Sequence, residues 1–326
     1  MPDSPSGAKS FWIEAFAWRG AVSVRVLPTT IAFGAFATLI YLIHAYVYDE
    51  SSLAIEVGPH EVAGALLGLL LVMRTNAGYD RWWEARKLWG GIINESRNLV
   101  LTALAHGPAE GRWRESIVRW TIAFAYAAKA RLRGDREVPE LRPLLGEEQA
   151  NRARAAEHVP LRMALRISEL LREGCEGGMD RFAFLQAERE RSGLIDHLGG
   201  CERIRNTPLA TLYSITIRGF IVVFLLSLPF ALLHKFEAAW LAPLTTTVVA
   251  WAVLSLDQIG VELQQPFSTR SLNHLPLNDI CHAIEKNLLA LLHEKNDQAY
   301  SETGLASEAS GVSSISGSGG ACSGPG

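Results

Sequence analysis

The sequence has little cysteine and none of the short motifs that mark catalytic or metal sites. Its 4 cysteines among 326 residues include no CxxC pair, which argues against a disulfide framework and against a cysteine-rich zinc site. The GxSxG, HExxH, phosphate-loop and dinucleotide-glycine patterns are all missing from the sequence, and the histidines occur singly. We therefore expect no enzyme, no cofactor and no metal site.

Charge is scarce as well. Charged residues make up 20% of the chain and apolar residues 48%, whereas soluble domains carry roughly 25% charged residues. The formal net charge of -3 leaves no basic excess for binding nucleic acid. Because apolar side chains stand where charge is missing, the composition indicates a chain embedded in a lipid bilayer.

Apolar runs predict the membrane-spanning helices. Residues 26–48 carry no charged side chain and are long enough to cross about 30 Å of hydrocarbon at about 1.5 Å per residue. Residues 57–73 form a shorter run with Glu61 near its start, so we expect one face to meet water or protein and interpret the run as a pore helix. Residues 213–234 and 240–256 are joined by a short link, which predicts an antiparallel hairpin.

Basic residues predict the orientation of these spans. Lys and Arg near span ends tend to stay in the cytoplasm, and the two loops on the opposite side contain one lysine between them, Lys235. The basic residues that flank the other ends of the first three spans are Arg19, Arg25, Arg74, Arg81, Arg86, Lys87, Arg203 and Arg205. We therefore expect a multi-pass protein of the cell inner membrane with both termini in the cytoplasm.

The predicted fold class is all-α, with four transmembrane helices and a cytoplasmic helical region. The segments expected along the chain are a cytoplasmic N-terminal segment (1–25), transmembrane helices 1 and 2 (26–81), the cytoplasmic helical region (82–211), transmembrane helices 3 and 4 (212–259), a cytoplasmic C-terminal helical segment (260–298) and a disordered Ser/Gly-rich tail (299–326).

The densest motif follows the second span, where residues 74–90 read RTNAGYDRWWEARKLWG. In one interpretation Trp82, Trp83 and Trp89 belong to an aromatic belt at the membrane surface, and the arginines anchor the inner end of the span. In the other, the helix continues into the cytoplasm, and its charged residues line or brace a path below a constriction. Periodicity does not decide between them.

This stretch, together with Asn94-Glu95-Ser96-Arg97, resembles the bestrophin family, including its bacterial members. The resemblance continues in residues 201–208 (CERIRNTP), in Pro229-Phe230 and Pro266-Phe267, and in residues 275–277. It covers most of the chain and implies a homopentameric channel whose central pore is lined by the second span. The motif residues that the resemblance places at the inner end of this pore helix are Arg74, Asn76, Tyr79, Asp80, Arg81, Trp82, Trp83 and Glu84.

The resemblance also implies a membrane constriction, or neck, formed by Ala65, Leu69 and Met73. Their spacing of four residues puts them on one helix face, so five copies would form three apolar rings that gate by dewetting. The family commonly has Ile or Phe at these levels, and Ala65 is smaller. The alternative is that Leu69 and Met73 pack against neighbouring helices.

Further candidate residues follow from the same resemblance or from charge. A second, cytosolic constriction is expected at Met179, Phe182 and Leu185. Glu56 and Glu61 would form acidic rings at the outer mouth.

Arg74 would attract anions unless Asp80 or Glu84 pairs with it. Pro266-Phe267 leads into Ser268–Ser271 rather than into an acidic run, so we expect no calcium site there.

The expected function is passive conduction of small monovalent ions, either chloride or another anion or a monovalent cation. The rival hypothesis is a non-conducting helical membrane scaffold. Coupled transport is disfavoured, because it normally needs buried ionisable residues at mid-span, and Glu61 lies near the end of its span.

Overall fold

The computed structural model describes residues 22–46, 57–208, 211–236 and 238–315. Throughout these ranges the regular secondary structure is helical, which confirms the all-α fold class. The helices are α1 (Val22–Tyr46), α2 (Val57–His106), α3 (Gly111–Arg133), α4 (Leu141–Leu145), α5 (Glu147–Arg154), α6 (Val159–Glu176), α7 (Arg181–Asn206), α8 (Thr211–Lys235), α9 (Leu241–Leu263) and α10 (Leu277–Ile315).

Four of the described helices are long and apolar enough to cross a membrane, namely α1, α2, α8 and α9. They correspond to the four apolar runs of the sequence, so the predicted number of spans is confirmed. At about 1.5 Å per residue the 50 residues of α2 extend over about 75 Å, more than twice the hydrocarbon thickness. The apolar run that suits a lipid bilayer, residues 57–73, is thus only the first part of α2.

The chain divides into two compact units, and the first combines residues 1–86 with 203–275. Its core contains Leu67 and Leu71 of α2, which pack with apolar residues of α8 and α9 such as Leu225 and Ala250. α1 packs against α8 and α9, and apolar side chains on the outside of these helices, such as Ile31 and Val223, remain exposed. Such a surface suits contact with lipid chains.

The second unit combines residues 87–202 with 276–326. Its central helix is α3, which is buried nearly all round and packs against α6 and α10. A helix without a solvated face belongs in the middle of a bundle. Trp113 of α3 locks this packing, because its indole Nε1 donates to the carbonyl of Leu170 on α6 at 2.8 Å.

The C-terminal end differs from the expected disordered tail. α10 continues to Ile315, so residues 299–315 are helical, and residues 316–326 lie outside the described part. Alanine, leucine and glutamate in this segment are strong helix formers, and the segment has no proline to end the helix. Serine and glycine content alone therefore underestimated its helical tendency.

Candidate pore helix and its supports

One face of α2 is exposed within the subunit. Leu69 and Met73 are 58% and 55% exposed, whereas Leu67 and Leu71 on the opposite face are 1% and 2% exposed. Ala65 is exposed too. The predicted neck residues therefore do not pack in the core of their own subunit, and their surface is left for lipid, water or a second subunit.

The same face continues beyond Met73. Asn76 and Asp80 are exposed, and at about 100° per residue they fall within the same arc of about 80° as the neck residues. The exposed α2 face is defined here as Ala65, Leu69, Met73, Asn76 and Asp80. It changes from apolar to polar at the point where the apolar run ends.

Arg74 points the other way. It is 1% exposed and forms an ion pair with Asp257 of α9, which is 7% exposed. Asp257 also accepts from Nε of Arg218 on α8 at 3.3 Å. Arg74 therefore does not lie on the exposed α2 face, and its partner is neither Asp80 nor Glu84.

Glycines allow α2 and α9 to approach at this ion pair. A Cβ on Gly78 would lie 3.0 Å from the carbonyl oxygen of Gly260, and a Cβ on Gly260 would lie 3.4 Å from Cγ of Arg74. Larger residues would push the helices apart and weaken the contact between the buried charges. The close packing of α2 against α9 thus explains why the motif has a glycine at position 78.

Arg81 and Trp82 connect α2 to segments that follow other helices. The guanidinium of Arg81 donates to the carbonyls of Gln264 at 3.0 Å and Thr207 at 2.7 Å, which lie just after α9 and α7. The indole Nε1 of Trp82 donates to the carbonyl of Asn273 at 2.8 Å. Cationic donors satisfy the carbonyls that a helix end leaves without partners, so both residues brace α2.

The remaining motif residues lie at the surface of the first unit. Tyr79 and Trp83 are 50% and 47% exposed, and their parallel rings are 6.4 Å apart between centroids. Glu84 pairs with Arg203 at 2.8 Å. Asp80 has no hydrogen bond or ion pair with any residue that the structure describes.

At the other end of the span, Glu61 pairs with Lys235 at 2.7 Å, and both side chains are more than half exposed. This partner cancels the charge that Glu61 would bring to an acidic ring. Glu56 lies outside the described residues.

The residues expected at a cytosolic constriction divide into two groups. Phe182 and Leu185 on α7 are 82% and 62% exposed. Met179 precedes α7, is 4% exposed, and its sulfur would touch a Cβ on Gly174 at 3.5 Å. Only Phe182 and Leu185 therefore have surface available for a constriction.

Sequence reasoning missed a second ion pair of the first unit. Glu262 of α9 is 3% exposed, pairs with Arg25 of α1 and accepts from the backbone amide of Leu272 at 2.8 Å. The only sequence signal is a carboxylate next to an apolar run, which needs a partner. Among the described residues no group of three or more His, Cys, Asp or Glu side chains is arranged to hold a metal ion.

These features define a polytopic helical membrane protein. The family model of the Bacterial/Fungal Bestrophin protein matches residues 5–290, and the chain belongs to this family. The resemblance noted in the sequence is thereby confirmed.

Relatives of known name agree with this membership. The chain is 30% identical to a voltage-dependent anion channel-forming protein of Nostoc sp., over 86% of this chain and 92% of the relative. It is 31% identical to a protein of the same description from Synechocystis sp., over 88% and 94% of the two chains. The family and these names point to a channel and away from an enzyme.

Solved structures are similar to most of this chain. A crystal structure of a single-substitution variant of a bacterial bestrophin homolog from Klebsiella pneumoniae matches with a TM-score of 0.75 and 28% identity. The match covers 82% of this chain and 98% of that chain.

Proposed function

We propose that this chain assembles as a homopentamer in the cell inner membrane and conducts small monovalent ions passively through a central pore. The exposed α2 face lines that pore, and both termini lie in the cytoplasm. The observation that carries the proposal is that Leu69 and Met73 are exposed while the opposite side of α2 is buried in the core.

The neck acts through its apolar rings. Five copies of Leu69 and five of Met73 form two rings one helical turn apart, about 6 Å along the axis. Water leaves a narrow apolar tube easily, and ions cannot cross it dry, so small changes in radius gate the flux. Ala65 leaves the outermost ring wider, which makes Leu69 and Met73 the controlling levels.

The buried supports keep this helix in place. Arg74, Arg81 and Trp82 attach the inner end of α2 to residues after or within other helices of the first unit. A rigid α2 holds its apolar side chains at a defined radius. Phe182 and Leu185 form the second constriction, in the cytoplasmic part of the pathway.

The names of the relatives bear on which ion permeates. They are named as voltage-dependent anion channel-forming proteins, which favours a small anion such as chloride. A monovalent cation is the alternative. The sign of the reversal potential under a potassium chloride gradient decides between the two.

The experiment that tests the proposal combines mass and flux. The purified protein in detergent should have the mass of five subunits, and vesicles that contain it should release chloride or potassium. Leu69→Ala and Met73→Ala should each raise the leak. Leu39→Ala on α1 is the matched control, because Leu39 is 53% exposed but lies on another span. A monomer in silent vesicles would support the scaffold instead.

A further inference from the structure

The charged side chains just below the neck differ in whether they have partners. Residues 74–84 contain four of them, Arg74, Asp80, Arg81 and Glu84. Arg74 is buried against Asp257, Arg81 donates to two backbone carbonyls, and Glu84 pairs with Arg203. Asp80 is the member of this set that is exposed without a partner among the described residues.

Asp80 also has the right position along α2. It follows Met73 by seven residues, which is nearly two full turns, so both side chains point in the same direction. The rise of about 1.5 Å per residue puts Asp80 about 10 Å beyond Met73. A pore lined by the exposed α2 face therefore has Asp80 as its first charged level after the neck.

We propose that Asp80 biases the charge selectivity of the pathway towards cations, as a ring of carboxylates at the inner mouth of the neck. The inference rests on the proposed function, because only a pentamer around α2 turns one carboxylate into a ring. Rings of acidic side chains are the usual means by which pores favour cations. In a pathway for chloride, the same ring reduces the preference for anions.

Other charges nearby do not replace it. Arg74 is closer to the neck, but its side chain is buried against Asp257, which it shares with Arg218 of α8, and does not lie on the exposed α2 face. Lys87 is the next exposed charge of this register on α2, and it follows Met73 by fourteen residues, about 20 Å. With a Debye length of about 8 Å at physiological salt, the nearer ring dominates the potential at the neck.

The test is the reversal potential in planar bilayers under a potassium chloride gradient. Asp80→Asn should raise the chloride-to-potassium permeability ratio, on the order of fivefold at 0.15 M salt, because five negative charges are removed about 10 Å from the neck. Asp80→Glu keeps the charge and should match the wild type. The shift should shrink at 1 M salt, where the Debye length is about 3 Å.

The double variant Glu84→Gln with Arg203→Gln is the matched control. It removes a carboxylate one turn further along α2 together with the arginine that pairs with it, so the net charge is unchanged and the reversal potential should stay at the wild-type value. A conducting Asp80→Asn channel with an unmoved reversal potential would overturn the inference, and so would an equal shift in the double variant. A silent wild-type protein would instead overturn the proposed function itself.

Discussion

Arg74 of α2 and Asp257 of α9 form an ion pair in which both side chains are at least nine-tenths buried. Arg218 shares the same carboxylate at 3.3 Å. In a membrane protein such a pair connects two helices where water cannot solvate either charge. The pair therefore fixes the inner end of the proposed pore helix against its neighbours.

Removing one member of this ion pair should destabilise the fold more than removing both. Asp257→Asn leaves the Arg74 charge buried without a carboxylate, which costs about 3–5 kcal/mol in comparable buried pairs. The double variant Arg74→Gln with Asp257→Asn has no buried charge left and should recover much of the loss. Thermal unfolding in detergent measures both. Equal losses in the single and double variants would contradict a role for charge.

Gly78 should be intolerant of a side chain. In Gly78→Ala the new Cβ meets the carbonyl oxygen of Gly260 at 3.0 Å, and a backbone atom has little room to move. We expect a loss of about 1–3 kcal/mol, as for other overpacked contacts. Gly68→Ala on the same helix is the control, since no atom lies within 4 Å of its new Cβ. If both variants unfold at the wild-type temperature, α2 and α9 are not in close contact.

The stability of the protein should depend on pH through Glu95. This residue lies about 33 Å beyond Met73 along α2, outside the apolar run. A hydrogen bond with Glu190 of α7, partial burial and the charge of Glu190 raise the pKa of Glu95 from 4.5 to about 7, against the opposite effect of Arg189. The folded state thus holds a proton that the unfolded state releases between these two values.

The direction of the pH dependence follows from this difference in pKa between the folded and unfolded states. As pH rises from 4.5 to 7, the stability contributed by protonated Glu95 falls, and above about pH 7 it is lost. Glu95→Gln removes this dependence, so its melting temperature relative to wild type should be higher at pH 8 than at pH 5. Glu188→Gln is the control. It removes a carboxylate of α7 that pairs with Arg191 at 2.7 Å rather than with another carboxylate. Identical pH profiles for wild type and Glu95→Gln would refute the shared proton.

Length and periodicity were enough to predict part of this structure. Runs of apolar residues long enough to cross a bilayer predicted the four spans, and the four-residue spacing of Ala65, Leu69 and Met73 placed them on one face. These are local properties of the chain. For the same reason the continuation of α2 into its charged motif was among the interpretations that the sequence supported.

The partners of the charged residues could not be predicted in the same way. Arg74 and Asp257 are 183 positions apart, and nothing in the neighbouring sequence distinguishes a buried arginine from an exposed one. The carbonyls that accept from Arg81 carry no side-chain signal at all. The burial of Met179 could not be predicted from the sequence either, because it depends on the tertiary packing around Gly174.

The central claim is that the exposed α2 face lines a water-filled pore. The accessibility of the thiol in Leu69→Cys tests this claim most directly. A charged, membrane-impermeant thiol reagent should change the current through this variant within minutes while leaving Leu39→Cys and the wild type unaffected. The wild type controls for the native thiols, of which Cys201 and Cys281 are buried. Full insensitivity of a conducting Leu69→Cys channel would mean that Leu69 faces lipid or protein, and would contradict a pore along α2.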